Sequence, residues 1–333
     1  MRKLPLFVLT FLLLNSGCSF NFLNRYAATE DQLERAKSQL NADFKALEVA
    51  IENLDTKVEE AYKNKTALIP KANKSQYKTA PTGVYYREPR LARSDVWLSA
   101  YKKQSVSAKE VLYFTESLEE DFQNTVSTNE AIVQVYYNSK DSMCKIFPPV
   151  DSVKAFDPKM IIPEFNFYYM ANETHNPEKK VVWVDEPYLD PAGRGFMISG
   201  ISPIYVDSNL EGVAGIDIRL ATLTDKYSRG DNEGIVLVHE TGLLVSASNR
   251  ASEVLNLPPF KEKVYESTVK KDTFRTDEYN LSKHKDPQIQ KLLKKCLSKE
   301  HVNTSIDALG KTVRLSCSRL GSIHWLVISL NLN

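Results

Sequence analysis

The stretch from Val181 to Leu220, VVWVDEPYLDPAGRGFMISGISPIYVDSNLEGVAGIDIRL, constrains the rest of the chain more than any other. Short apolar, β-branched runs alternate here with polar corners, and runs this short read as strands. Val181 to Val184 is a buried strand. Asp185 to Gly195 is a corner punctuated by Pro187, Pro191, Gly193 and Gly195. FMISGISPIYV is a second strand, with Pro203 forcing an irregularity near its middle. VDSNLEG then turns the chain into VAGIDI, a third strand. The spacing predicts an antiparallel meander with Tyr188, Asp190 and Asp217 placed at strand ends and corners.

These residues resemble the extracytoplasmic sensor family called Cache, in its double form. The family signature is similar to W-x-x-x-P-Y-x-D-x-x-G-x-G, a strand, P-I-Y and then G-V-x-G-I-D-I. The matching residues are Trp183, Pro187, Tyr188, Asp190, Gly193, Gly195, Pro203, Ile204, Tyr205, Gly212, Val213, Gly215, Ile216, Asp217 and Ile218. A weaker likeness runs from about Ala27 to the C-terminus. The resemblance implies an α+β fold: a long N-terminal helix followed by two PAS-like antiparallel-sheet modules. It also implies a ligand pocket in the first module.

A length of 333 residues suggests about two domains. Hydrophobic content of 42% and charged content of 26% are globular values. Lys plus Arg number 43 and Asp plus Glu 42, so no global field favours nucleic acid. Of the cysteines, Cys296 and Cys317 could pair in an exported chain; two separate buried thiols is the equal alternative. Cys144 reads as a buried core thiol.

The chain opens with Arg2 and Lys3, followed by an apolar run, Leu4 to Leu14. A bilayer-spanning helix needs roughly 20 residues, more than this run supplies. Asn15, Ser16, Gly17 and Cys18 follow, and small residues before a cysteine resemble a bacterial lipoprotein signal. Residues 1–17 are then a signal peptide, and residues 18–64 an anchor segment and helix lipidated at Cys18. Asn15 departs from the branched apolar residue usual in that family. A plain secretory peptide is the rival, and either places the protein outside the cytoplasm. The preferred location is the periplasmic side of the envelope, with acyl chains on Cys18 as the membrane attachment. Ser19 is compatible with outer-membrane sorting.

From about Ala27 to Asn64 there is no Gly or Pro. Leu33, Leu40, Leu47, Leu54 and Ala61 recur every seven residues, and Phe44, Ile51 and Val58 fill the second heptad position, which Lys37 interrupts. Thr29 followed by Gln32 suggests a capping box. The result is one long amphipathic helix. Its stripe is either a dimer seam or the cover of the chain's own sheets. The second is preferred, because so few heptads are marginal alone and a sheet needs covering.

Residues 65–228 form the expected first, membrane-distal module. Lys65 to Pro81 reads as an irregular connector, and Ser94 to Tyr101 and Ala108 to Thr125 as helices, the latter with Leu112, Phe114, Leu118 and Phe122 inward. Ala131 to Tyr137 is a strand and Met143 to Phe147 its return. The resemblance makes this strand one pocket wall, with Tyr136 and Asn138 as candidates. Where many amino-acid-binding Cache members carry R-x-W-Y, this chain has PEFNFYYMAN, without the Arg that grips a carboxylate but with Tyr168 and Tyr169. Trp183, Tyr188, Asp190 and Asp217 complete the set. Carboxylates inside an aromatic box suit a cation through charge-assisted hydrogen bonds and cation–π contacts. An amine therefore fits better than an ordinary amino acid, unless Arg194 supplies the missing grip. The competing structural reading has Asp190 capping its turn, Asp217 satisfying backbone donors, and Trp183, Tyr188 and the other aromatics as core.

Residues 229–333 form the second, membrane-proximal module. Leu220 to Ser228 is a short linking helix, and Gly230 to Gly234 a hinge. IVLVH and LLVSA make a hairpin turning at Gly242. Charged sequence from Ser252 to Lys299 has Ile289, Leu292, Leu293 and Leu297 at helical spacing. A three-stranded meander with Trp325 closes the chain. The resemblance places a transmembrane helix and an output domain next; here the sequence stops at Asn333, so a separate protein partner is expected to carry the output.

Enzyme motifs are missing. The five histidines, His175, His239, His284, His301 and His324, show no metal spacing and read mostly as surface residues. No G-x-S-x-G, P-loop or G-x-G-x-x-G occurs. Asp190 and Asp217 could be an acid/base pair, but a binding pocket explains them with fewer assumptions. The sequence thus predicts a non-catalytic, ligand-binding sensory lipoprotein without cofactor or metal. Its alternative is a structural or adaptor lipoprotein whose pocket its own side chains fill.

Overall fold

In the computed structural model, residues 25–88, 93–190, 193–258 and 277–332 are described. The signal segment 1–17, Cys18, Pro191 and much of the charged stretch after Ser252 lie outside them. Helix α1, Ala27–Lys63, runs for 37 residues, about 55 Å at 1.5 Å per residue. Every apolar heptad position named above is buried. The stripe lies on the chain's own sheets, crossing strands of both. The start of α1 is not a capping box. Thr29 Oγ1 instead donates to Tyr26 O at 2.9 Å and meets Ser316 Oγ at 2.7 Å, while Gln32 Oε1 accepts from Ser329 Oγ at 2.8 Å. The two residues that suggested a cap dock the helix onto the second sheet.

The first sheet contains β1 Tyr77–Thr79, β2 Tyr85–Arg87, β3 Asp95–Leu98, β4 Ile132–Ser139, β5 Met143–Phe147, β6 Val182–Leu189, β7 Phe196–Val206 and β8 Asn209–Arg219. Its order is β1-β2-β3-β5-β4-β8-β7-β6, all antiparallel. The central meander is present as expected, with a register shift between Val184 and Tyr188 around Pro187. The expected helix at Ser94 to Tyr101 is instead β3. All four of its residues are buried between β2 and β5, so pairing on both edges overrides local preference. The Lys65 to Pro81 connector ends in edge strand β1. The Ala108 to Thr125 helix is two, α2 Val106–Phe114 and α3 Glu119–Thr128, parted by a 3-10 turn where Thr115 Oγ1 bonds back to Val111 O at 2.7 Å. Its four inward residues are all buried.

The second sheet contains β9 Ile235–His239, β10 Leu244–Ser246, β11 His301–Ala308, β12 Lys311–Arg319 and β13 Trp325–Leu330, in the order β10-β9-β13-β12-β11. Helix α4, Leu220–Tyr227, links the sheets, and α5, Pro287–Ser298, covers the second. Cys296 of α5 and Cys317 of β12 are disulfide-bonded, with Cα atoms 5.9 Å apart. Cys144 is a buried free thiol. One apolar core joins α1 to both sheets; separate clusters lie between the second sheet and α5, and beneath a cap over the outer face of the first sheet. Among the described residues no helix is long and apolar enough to cross a membrane.

Candidate functional site

Strand β4 alternates. Val135 and Tyr137 face α1, where the Tyr137 hydroxyl meets that of Tyr62 at 2.6 Å. Gln134, Tyr136 and Asn138 face the other way and line a cavity. Across β4 the register sets Gln134 opposite Asp217 of β8 and Tyr136 opposite Gly215. A Cβ on Gly215 would lie 2.5 Å from the Tyr136 ring, so the glycine gives that ring its place. Tyr188 and Asp190 enter from β6 and its corner, and Cys144 and Ile146 from β5. Short turns after β5, including Ile162–Glu164 and Asn166–Tyr169, carry Phe156, Met160, Ile162 and Phe167 over the top.

Asp217 organises the polar floor. Its carboxylate accepts from Gln134 Nε2 at 2.6 Å and Ser199 Oγ at 2.5 Å, with the Tyr188 hydroxyl at 3.4 Å. Tyr188 and Ser199 hydroxyls meet at 2.5 Å. Burial, and next the nearby charge of Asp190, push the Asp217 carboxyl up to about 8; the bonds from Ser199 and Gln134 offset only part of that. Burial and then Asp217 also raise the Tyr136 and Tyr188 phenols.

Three buried polar atoms around the same space have no hydrogen-bond partner: Gln134 Oε1, Tyr136 OH and Asn138 Oδ1. Two are pure acceptors and the third can accept, so with two carboxylates the cavity is rich in acceptors. Among the described lining residues none is basic. The space open to the centres of water-sized spheres is about 30 Å³, room for about two waters or one ammonium head.

Five of the eight expected binding residues therefore meet here: Asp217, Asp190, Tyr188, Tyr136 and Asn138. Three do not. Trp183 lies on the opposite sheet face, its ring 4.7 Å from Phe44 and its Nε1 donating to Glu48 at 3.3 Å. It stands an odd number of residues from Tyr188, and strand alternation separates them. Gly200 makes room for it: a Cβ there would meet Ile51 at 2.4 Å and the Trp183 ring at 3.0 Å. Tyr168 is buried in the cap's apolar cluster without lining the cavity, and Tyr169 packs against His175, ring centroids 5.2 Å apart. Asp190 also holds its own turn, its Oδ2 accepting from Arg194 N at 3.1 Å and its carbonyl from Gly193 N at 2.9 Å. The Arg194 guanidinium donates to Val133 O and Pro148 O instead of reaching into the cavity. Sequence reasoning missed Gln134, the partner of Asp217, although it shares the alternation of Tyr136 and Asn138.

No family's sequence profile matches the chain, and no curated protein does. Solved structures match along almost the whole length. The sensory domain of the Campylobacter jejuni chemoreceptor Tlp3 is 10% identical over 94% of this chain and 95% of that one, with a TM-score of 0.54. The ligand-binding domain of Tlp3 in complex with L-norvaline is 11% identical over 96% and 95%, with a TM-score of 0.55. The extracellular domain of a protein designated a histidine kinase is 14% identical over 91% and 94%, with a TM-score of 0.52. The likeness is one of fold: the chain has the double-Cache fold, a long helix followed by two antiparallel sheets, that these sensory domains share.

Proposed function

We propose that the protein is an extracytoplasmic sensory protein that binds a small cationic metabolite, an amine or an amino acid, in the membrane-distal module, residues 65–228. The ammonium group sits on Asp217, with Asp190 adding charge and Tyr136, Tyr188 and Asn138 completing the shell. What supports this is the clustering of Gln134 Oε1, Tyr136 OH and Asn138 Oδ1, all buried and unpartnered, around a carboxyl already pushed up to about 8. An ammonium donor satisfies such acceptors and restores the Asp217 charge. The Tlp3 domain was crystallised with isoleucine, 4-methylisoleucine and L-norvaline, each of which carries an ammonium group. Any ligand longer than the ammonium head requires the cap with Phe156, Met160 and Phe167 to lift. The protein acts without catalysis, is held to the membrane through lipidated Cys18, and passes its signal to a separate partner through α1 or the membrane-proximal module, residues 229–333.

Calorimetric titration of the purified chain with short primary amines and amino acids tests the reading. At least one binds, Asp217→Asn abolishes it, and affinity rises about tenfold per pH unit up to about pH 8, because the ligand must displace the Asp217 proton. Binding that survives Asp217→Asn, or no binding by any cation, refutes it. The second case would favour the scaffold alternative, for which the tight 30 Å³ space speaks.

A further inference from the structure

A second group of ligating side chains lies where the two sheets meet. Asp185 of β6 reaches His239 at the end of β9 and His324 just before β13. Its Oδ1 is 3.5 Å from His239 Nε2, and its Oδ2 is 3.0 Å from His324 Nδ1. One ligand atom from each residue falls within 4.8 Å of the others, the one such group among the described residues. On a tetrahedral zinc ion, ligand atoms bound at about 2.0–2.2 Å lie roughly 3.3–3.5 Å apart. Atoms up to 4.8 Å apart must close by as much as about 1.3 Å to share one ion, a movement that falls to the exposed His324 side chain.

The surroundings are those of a built site. The Asp185 carboxylate is buried and accepts from His324 N at 2.6 Å, while its carbonyl accepts from Trp325 Nε1 at 2.9 Å, so its direction is fixed. The far nitrogen of His239, Nδ1, lies 2.9 Å from Thr241 Oγ1 and accepts from Thr241 N at 3.3 Å, which fixes the ring with Nε2 turned towards Asp185; an ion bound at Nε2 displaces that nitrogen's proton to Nδ1, where Thr241 Oγ1 accepts it. His324 is 67% exposed and borders a surface cleft lined by Glu240, Arg319, Gly321 and Ser322, which leaves a coordination position facing solvent. Two imidazoles and a carboxylate with one open position suit Zn²⁺ or a similar late transition dication, and not Ca²⁺ or Mg²⁺.

We propose that Asp185, His239 and His324 form a divalent transition-metal site that clasps the two sheets together, with Zn²⁺ the preferred ion. The untagged chain, stripped with chelator, is titrated with Zn²⁺ alone and read by elemental analysis after desalting and by thermal melting. The expected result is one Zn²⁺ retained per chain and a rise of several degrees in Tm, with no rise from Mg²⁺ or Ca²⁺. His324→Ala weakens Zn²⁺ binding at least tenfold, measured against its own metal-free melt. His175→Ala, at an exposed histidine elsewhere, keeps it. Retention of no Zn²⁺ by the wild type, or equal retention by His324→Ala, overturns the proposal.

Discussion

The two sheets share a plan, antiparallel strands with α1 across one face and a cover over the other, yet their covered faces differ in chemistry. Under α5 the second sheet presents Val238, Val313, Leu315, Cys317, Leu326 and Ile328, sealed by Ile289, Leu292 and Leu293. Under its cap the first sheet presents Gln134, Tyr136, Asn138 and Asp217 to a cavity. Burying apolar surface gains about 25 cal/mol per Å², whereas each buried polar atom left unpaired costs about 1–3 kcal/mol. One covered face is sealed with apolar side chains, and the other keeps unpaired polar atoms in its interior.

Four measurements sharpen or break that contrast. The largest effect is expected from Glu119, which is mostly buried and sits between Lys145 Nζ at 2.6 Å and Arg87 at 2.9 Å. Burial opposes its charge, but Lys145 and Arg87 prevail and hold the carboxyl down at about 2. Glu119→Gln leaves two buried cations uncompensated and lowers stability by about 3–5 kcal/mol in urea unfolding at pH 7. Because the folded-state value is depressed, this contribution is complete above the ordinary 4.5 and is lost as pH falls from there towards 2. A variant as acid-sensitive as wild type in that window would contradict the assignment.

Next, replacing both Cys296 and Cys317 by Ser opens a link between residues 21 apart and is expected to cost about 3 kcal/mol, with the loss confined to the second sheet by hydrogen exchange. Equal loss in both sheets would show that the core under α1 makes them one cooperative unit. Asp217→Asn acts in the opposite sense. A carboxyl raised from 3.8 to about 8 by folding makes the empty protein less stable as pH climbs through that range. The variant should melt higher than wild type at pH 9, by on the order of 1–3 kcal/mol, and match it at pH 4. Smallest is Tyr136→Phe, which removes an unpartnered hydroxyl; the empty protein should become more stable by about 1 kcal/mol, while amine affinity falls. A loss above about 2 kcal/mol would mean that the hydroxyl is satisfied.

Much of the fold was legible because its signals are local. A Gly- and Pro-free heptad stripe gave α1 to within a residue of its end, and short β-branched runs between turn residues gave both meanders. Strand β3 was not legible, because four residues carry no period and the neighbours that make them a strand are β2 and β5. At the site, Asp217, Asp190, Tyr136 and Asn138 came from the family resemblance, and the alternation of β4 agrees with the last two. Trp183 was placed beside Tyr188 because the alternation of β6, which puts the two on opposite faces, was not applied to it. Glu119 with Lys145 and Arg87, and Asp185 with His324 at a separation of 139 residues, are products of tertiary folding alone.

Tyr136 and Tyr137 are consecutive, so the ring that lines the cavity and the ring that grips the C-terminal end of α1 ride on one peptide unit. At its other end α1 is bolted to β12 and β13 through Thr29 and Gln32. On the proposed reading, a ligand that displaces Tyr136 would press on α1 through Tyr137, and the far anchor at Thr29 and Gln32 lies some 50 Å along that helix.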